Sequence, residues 1–133
     1  MKRSAAVVAL CPRGKVLVLR RGLTDPWAPG MWCLPGGGAE SHESLEQAAR
    51  REAFEEAGLL LGTLKRLQRI RTPHGFVQVF IGRSTDGRAL LLDGEHDLLF
   101  WGSPHEILSL PLVPYTRTAM ERLNADATLS TSK

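Results

Sequence analysis

Residues 37–59 read GGAESHESLEQAARREAFEEAGL, and their spacing decides the architecture of the chain. Ser44 followed three positions later by Gln47 is a capping-box pair, in which side chain and backbone satisfy the first free N–H groups of a helix reciprocally. Leu45, Ala48, Ala49 and Ala53 then recur at helical spacing, and Gly58 supplies a C-terminal stop. The same helix carries Glu52, Glu55 and Glu56 at i, i+3 and i+4, so three carboxylates share one face within about 6 Å of their neighbours. Unpaired they repel, and they stand near a helix C-terminus, where the macrodipole already disfavours anions. Such a face calls for a cation. Carboxylate oxygens suit hard divalent ions, and Mg²⁺ in particular is held by one or two carboxylates together with substrate phosphates. Arg51 can pair with Glu55 one turn on, or reach back across the loop toward Glu43, and its fixed fork makes it a better orienter than a lysine.

Charge outside this stretch has the opposite sign. The chain has 17 Lys and Arg against 14 Asp and Glu, a formal +3. Gly36 to Gly58 holds six acidic and two basic residues, a local −4, which leaves +7 for the remainder. One acidic cluster in a basic protein suits cations held beside a polyanionic ligand, although acidic residues on a helix can also be simply a solvated face. With 133 residues, 43% apolar and 23% charged, the composition fits one packed core and excludes disorder as the main state. No apolar run approaches the roughly 20 residues of a membrane span. The opening MKRSAAVVALCPRGK reads as a first strand rather than a secretory signal. Two cysteines, Cys11 and Cys33, are too few to staple a secreted fold, so buried free thiols in a reducing cytoplasm are expected.

Working outward, Ser4 to Cys11 and Lys15 to Arg20 read as a β-hairpin around Pro12, Arg13 and Gly14. A turn-rich loop leads to a short strand at Met31 to Leu34, which the glycine run Gly36 to Gly38 ends. Leu64 to Arg71 and Phe76 to Arg83 read as a strand pair, the second apolar on nearly both faces and therefore central. Leu98 to Gly102 is a further strand, Pro104 opens a brief helix to Leu108, and a last helix runs from about Tyr115 to Leu123. The expectation is an α/β fold with a mixed β-sheet and helices on its faces, a single domain over 1–125, with a small polar tail at 126–133 that frays.

The stretch resembles the box of the Nudix hydrolase family: Gly, five residues, Glu, seven residues, Arg-Glu, an aliphatic, any residue, Glu-Glu, any residue, Gly, an aliphatic. Gly37, Glu43, Arg51, Glu52, Ala53, Glu55, Glu56, Gly58 and Leu59 match every fixed position. With about 7% for each invariant residue and about 30% for each aliphatic, chance gives such a match on the order of once in 10⁹ starts. The approach WCLPGGG (Trp32 to Gly38) and a distal Glu95 followed by Trp101 extend the resemblance beyond the box, while Ser41 and His42 replace a common Pro-Gly pair.

The resemblance implies a Nudix-type α/β/α sandwich and a Mg²⁺ (or Mn²⁺) site built from the Gly36 carbonyl with Glu52, Glu55 and Glu56. Glu40 and Glu95 match glutamates that some members add as ligands, and Glu95 matches a general base in some. Catalytic candidates are therefore Glu52, Glu95 and Arg51, with Glu52 either the base or purely a ligand. Metals bridging two phosphates would neutralise the charge that repels a nucleophile and acidify a bound water. Trp27 and Phe76 are candidates for base stacking and Arg20 for phosphate contact, beside the plain alternatives of core packing and surface charge. His74, His96 and His105 show no metal-ligand spacing in the sequence.

The expected substrate is a nucleotide-type small molecule, first a nucleoside triphosphate cleaved to monophosphate and pyrophosphate. Nucleotide sugars, ADP-ribose and dinucleoside polyphosphates are alternatives. Pro73 and Phe76 stand 14 and 17 positions past Leu59, near the family's ADP-ribose and dinucleoside-polyphosphate markers without matching either. A noncatalytic nucleotide-binding regulatory domain is a rival from another class. Nucleic acid ranks lower as a partner because no long basic stripe carries interleaved aromatics, no membrane partner is expected, and the chain acts as a monomer or homodimer.

Overall fold

The computed structural model describes residues 1–131. Seven strands form one mixed sheet: β1 (Lys2–Leu10), β2 (Val16–Arg21), β3 (Trp32–Cys33), β4 (Gly36–Gly38), β5 (Lys65–Thr72), β6 (Gly75–Arg83) and β7 (His96–Gly102). Three helices, α1 (Leu45–Ala57), α2 (Pro104–Ile107) and α3 (Pro114–Thr131), cover its faces. The strand order is β3-β2-β1-β6-β5, with β4 added to β1 and β7 added to β2.

Alternation along the strands sorts the core into two layers. Ala5, Val7 and Ala9 of β1, with Leu17 and Leu19 of β2, face α1 through Ala48, Ala49, Ala53 and Ala57. Ala6 and Val8, with Val16, Val18 and Val79, face α2 and α3 through Ile107, Ala119 and Met120. This is the period-two pattern of a sheet buried on both sides. The result is the expected α/β/α sandwich. Each fully buried Leu or Val contributes about 1.5–3 kcal/mol, and the alanines of α1 let the helix lie close over β1.

The sequence reading of α1 holds in detail. The Ser44 side chain accepts from the Gln47 N–H while the Gln47 side chain accepts from the Ser44 N–H, and Gly58 ends the helix at φ +67°. β6 lies between β1 and β5, as its apolar character predicts, and runs parallel to β1 along its whole length.

Three readings are corrected. The β1–β2 hairpin is joined at one pair only, Leu10 with Val16, because Gly38 to Gly36 occupy the same edge of β1 opposite Ser4 to Ala6. The glycine run therefore forms a strand of its own instead of merely ending β3. β2 diverges to pair with β7 on one side and β3 on the other. The last helix continues to Thr131, past Leu123 and into the expected tail. Nothing from 115 to 131 is Pro or Gly, and Ala125, Ala127 and Leu129 are good helix formers, so no signal stops it. Residues 132 and 133 lie outside the described residues. Among the described residues no helix is long and apolar enough to cross a membrane. Both cysteines are buried and free, as expected.

Candidate active site

The divergence of β2 from β1 places β4, the C-terminal turn of α1 and the start of β7 beside one another. Gly37 pairs with Ala5, on the face that α1 covers, and the Glu52 carboxylate lies directly over it. A Cβ built on Gly37 would stand 2.7 Å from both Cδ and Oε1 of Glu52, so any side chain here would collide with the carboxylate. One position before, the Gly36 N–H donates to Oε1 of Glu56 at 3.0 Å. Two consecutive glycines thus seat two of the three glutamates clustered on the helix face.

Arg51 joins the loop to the helix. Its Nε and Nη2 grip both oxygens of Glu43 at 2.6 and 2.9 Å, and Nη2 also donates to the Gly38 carbonyl at 3.2 Å. Nη1 donates to Oε1 of Glu52 at 3.0 Å and to Oε2 of Glu55 at 3.3 Å. Both pairings that the sequence allowed are made at once. This Arg51 fork, followed by the Glu40 N–H, draws the Glu43 carboxyl down to about 2. The guanidinium in turn is held charged far beyond its ordinary range, first by Glu43.

Glu56 is 6% exposed, and desolvation pushes its carboxyl well above the usual carboxylate range, with Glu52 and Asp93 adding to the shift against the opposing Gly36 N–H. Beside it lie two residues that sequence spacing did not single out. One ligand atom each from Glu56, Asp93 and His96 fall within 4.8 Å of one another. Asp93 Oδ2 stands 2.9 Å from Nδ1 of His96, and Nε2 of the same ring stands 3.7 Å from the Cys33 sulfur. Burial pushes the Cys33 thiol up to about 12. The loop before β7 is pinned to α1, since Leu90 and Leu92 donate N–H groups to the Ala57 and Glu56 carbonyls. Those bonds satisfy part of the helix C-terminus and bring Asp93 in. The absence of local spacing around His96 said nothing of Glu56, 40 residues away. The readable signal was Asp93 three before His96 across a Gly94 turn.

The other candidates are dispersed. Glu55 is exposed on the outer edge of the cluster and is tied to Arg51. The Glu95 side chain is exposed; its carbonyl accepts from Gly22 and its charge is felt by Arg21. Glu40 and His42 face one another on the exposed loop at 3.5 Å. Trp27 is half exposed under the Arg21 guanidinium, 4.6 Å from the ring centre. Phe76 lies beyond β1 on β6, with Arg69 4.2 Å over its ring. Arg20 makes a bidentate pair with Asp97 of β7 at 2.9 and 2.8 Å. These three therefore lie on separate elements and do not form one wall.

The donor set fits a hard divalent ion: buried and half-buried carboxylate oxygens converge, and the buried Glu56 lacks a cation of its own among the hydrogen bonds it makes. A family model described as the NUDIX domain matches residues 1–123. The chain is 32% identical over 117 residues to a CTP pyrophosphohydrolase of Escherichia coli K12, covering 86% of each protein. It is 31% identical over 122 residues to the NAD-capped RNA hydrolase NudC of Chromobacterium violaceum, covering 90% of this chain and 44% of that longer protein. The crystal structure of a MutT NUDIX hydrolase from Burkholderia pseudomallei superposes with a TM-score of 0.78 at 25% identity, over 90% of this chain and 95% of that one.

Proposed function

The chain belongs to the NUDIX family and is a hydrolase of pyrophosphate bonds, and from that premise we propose that it cleaves a nucleoside triphosphate to the monophosphate and pyrophosphate with Mg²⁺ or Mn²⁺ as cofactor. The observation that carries this reading is the seating of Glu52 and Glu56 on Gly37 and Gly36, with Arg51 binding loop and helix into one unit. The similarity to a CTP pyrophosphohydrolase of matching length supports the triphosphate over longer substrates.

The residues that would hold the ion are Gly36, through its carbonyl, and Glu52, Glu55 and Glu56. When bound, it would neutralise phosphate charge and acidify a water. Glu52 is assigned as the carboxylate that positions or deprotonates that water, since Arg51 fixes its Oε1. Glu95 is the alternative base and would have to turn inward from its exposed position. Arg51 is a positioning residue that acts through Glu43, Glu52 and Glu55. Of the three substrate candidates, Trp27, half exposed beside Arg21, is the one proposed to stack on a base, whereas Arg20 is held by Asp97 and Phe76 is covered by Arg69 away from the cluster. The buried free thiols support a reducing cytoplasm.

The test is pyrophosphate or phosphate release from nucleoside triphosphates, nucleotide sugars, ADP-ribose and dinucleoside polyphosphates with Mg²⁺, for the wild type and Glu56→Gln. Turnover of a triphosphate that the variant loses is the expected result. Nucleotide binding without turnover of any of them would overturn it in favour of a regulatory domain.

A further inference from the structure

Leu34 lies between β3 and β4 and belongs to neither strand, yet it is wholly buried, so its N–H and its carbonyl both need partners inside the protein. Both partners are side chains in the first turn of α3. The Leu34 N–H donates to Oγ1 of Thr116 at 3.0 Å, and the Tyr115 hydroxyl donates to the Leu34 carbonyl at 3.0 Å. Thr116 is itself wholly buried. The neighbouring residues are tied as well. Trp32 donates its N–H to the Pro111 carbonyl at 2.8 Å and accepts from Val113 at 3.0 Å, while the Pro35 carbonyl accepts from Val7 of β1 at 3.0 Å. The start of α3 and the loop before it thus grip, by its backbone, the stretch that leads into β4.

That stretch delivers Gly36, whose N–H seats Oε1 of Glu56 at 3.0 Å and whose carbonyl is assigned above to the ion. Only Pro35 separates Gly36 from Leu34, and its ring holds φ at about −65°, which removes one of the torsions that could absorb a shift. We propose that Tyr115 and Thr116 are positioning residues for the hydrolytic site: by fixing Leu34 they set where the Gly36 N–H and carbonyl stand against Glu56, without touching ion or substrate. Thr116 takes the N–H and Tyr115 the carbonyl of one residue, so Leu34 can neither turn nor slide without straining one of the two bonds. Packing alone would be met by valine and phenylalanine, which have nearly the same shapes without the hydroxyls. Burial, with Cys33 and Glu56 adding, pushes the Tyr115 hydroxyl well above its ordinary value, so it stays protonated and remains a donor. Removing the Thr116 acceptor orphans a buried N–H, and the backbone relieves that cost by turning, a movement passed on to Gly36. The catalytic consequence rests on the reading of Gly36 and Glu56 as ion ligands, whereas the geometric part does not.

The experiment compares Thr116→Val, Thr116→Ser and Tyr115→Phe with Leu123→Ala, which removes packing from α3 two turns further on and no bond to Leu34. The measurement that a merely structural role would not move is the Gly36 amide resonance of the metal-free protein, followed by NMR. It is expected to shift in Thr116→Val and Tyr115→Phe, to return in Thr116→Ser, and to stay in place in Leu123→Ala despite a lower Tm. The Mg²⁺ dissociation constant, read by calorimetry, rises about tenfold or more in Thr116→Val and stays within about twofold of wild type in Thr116→Ser and Leu123→Ala. Where a triphosphate is turned over, kcat of Thr116→Val at saturating Mg²⁺ falls while KM for the nucleotide holds. An unmoved Gly36 resonance in both Thr116→Val and Tyr115→Phe overturns the inference, as does wild-type Mg²⁺ affinity in a Thr116→Val protein that has lost Tm. If Thr116→Val does not fold, Tyr115→Phe decides by the same resonance, since it keeps the ring and loses only the hydroxyl. A wild-type protein that turns over no triphosphate defeats the hydrolase reading alone, because resonance and ion affinity are both measured without nucleotide.

Discussion

Gly37→Ala isolates the position of one carboxylate without touching the fold. The backbone at Gly37 is an ordinary strand, paired with Ala5, so alanine meets no conformational penalty there. The added Cβ would stand 2.7 Å from Cδ and Oε1 of Glu52, against an ordinary contact of about 3.4 Å, so the carboxylate must retreat by about 0.7 Å. The colliding atoms are the far end of a flexible side chain, and stability should fall by about 1 kcal/mol or less, a few degrees in Tm for a domain of this size. Catalysis is far less forgiving: a misplacement near 1 Å costs up to about 100-fold, or about 2.7 kcal/mol in the barrier. The retreat also strains the 3.0 Å bond from Arg51, which carries the disturbance to Glu43 and the loop. The measurements are kcat/KM on the best triphosphate, metal affinity by calorimetry, and Tm without metal. A drop of about 10- to 100-fold in kcat/KM with near-native Tm is expected. An activity within twofold of wild type would refute the reasoning, because Glu52 would then not need the place that Gly37 provides.

Other substitutions probe the remaining supports. Glu56→Gln keeps an acceptor for the Gly36 N–H but removes a carboxyl whose charged form burial disfavours, so its metal-free Tm should rise above wild type while the Tm gain on adding Mg²⁺, worth about 2.7 kcal/mol at 100 times Kd, disappears. Thermal scans with and without Mg²⁺ check both halves. Gly58→Ala forces alanine to φ +67° and brings its Cβ to 3.3 Å from Leu92, which should cost about 1 kcal/mol or more in denaturant unfolding. Glu43 has its carboxyl depressed from 4.5 to about 2, so its contribution is fully present above the ordinary value and is lost as pH falls toward 2. Glu43→Gln should therefore flatten the acid limb of stability between those values and leave the neutral-to-alkaline limb unchanged, as read by unfolding at a series of pH values.

Much of this arrangement was legible because it is local. The capping box, the alanine face and the Gly58 stop of α1 are all set within one turn or two, and each formed as its spacing required. The i, i+3, i+4 carboxylates needed only helical geometry to be placed together. The partners of that helix were legible only in part. Arg51 could be seen to have two choices, but that it takes both depends on β4 carrying Gly38 past it. The strand status of Gly36 to Gly38 was hidden because glycine lowers strand propensity; here the edge of β1 supplies hydrogen bonds and the glycines supply room for carboxylates. Asp93 and His96 were hidden for a different reason. They reach Glu56 through the backbone bonds of Leu90 and Leu92 to the end of α1, and no periodicity in either segment encodes that meeting.

The two glycines and the arginine also explain how so much negative charge persists in a folded protein. Three clustered glutamates on one helix face oppose folding, and burying Glu56 opposes it further. The fold answers with compensations of unequal reach. Arg51 neutralises the outer pair, Glu52 and Glu55, and anchors Glu43, but it makes no hydrogen bond to Glu56. Glu56 has one backbone N–H and the proximity of Glu52 and Asp93, which are further negative charges. The innermost carboxylate is thus left as the group whose charge the protein itself does not balance, and a metal ion gains most from meeting that group. Stability and function therefore pull on the same residue in opposite directions. Residues that relieve the outer glutamates act as supports, while relief of Glu56 from within the chain would remove the attraction on which ion binding depends.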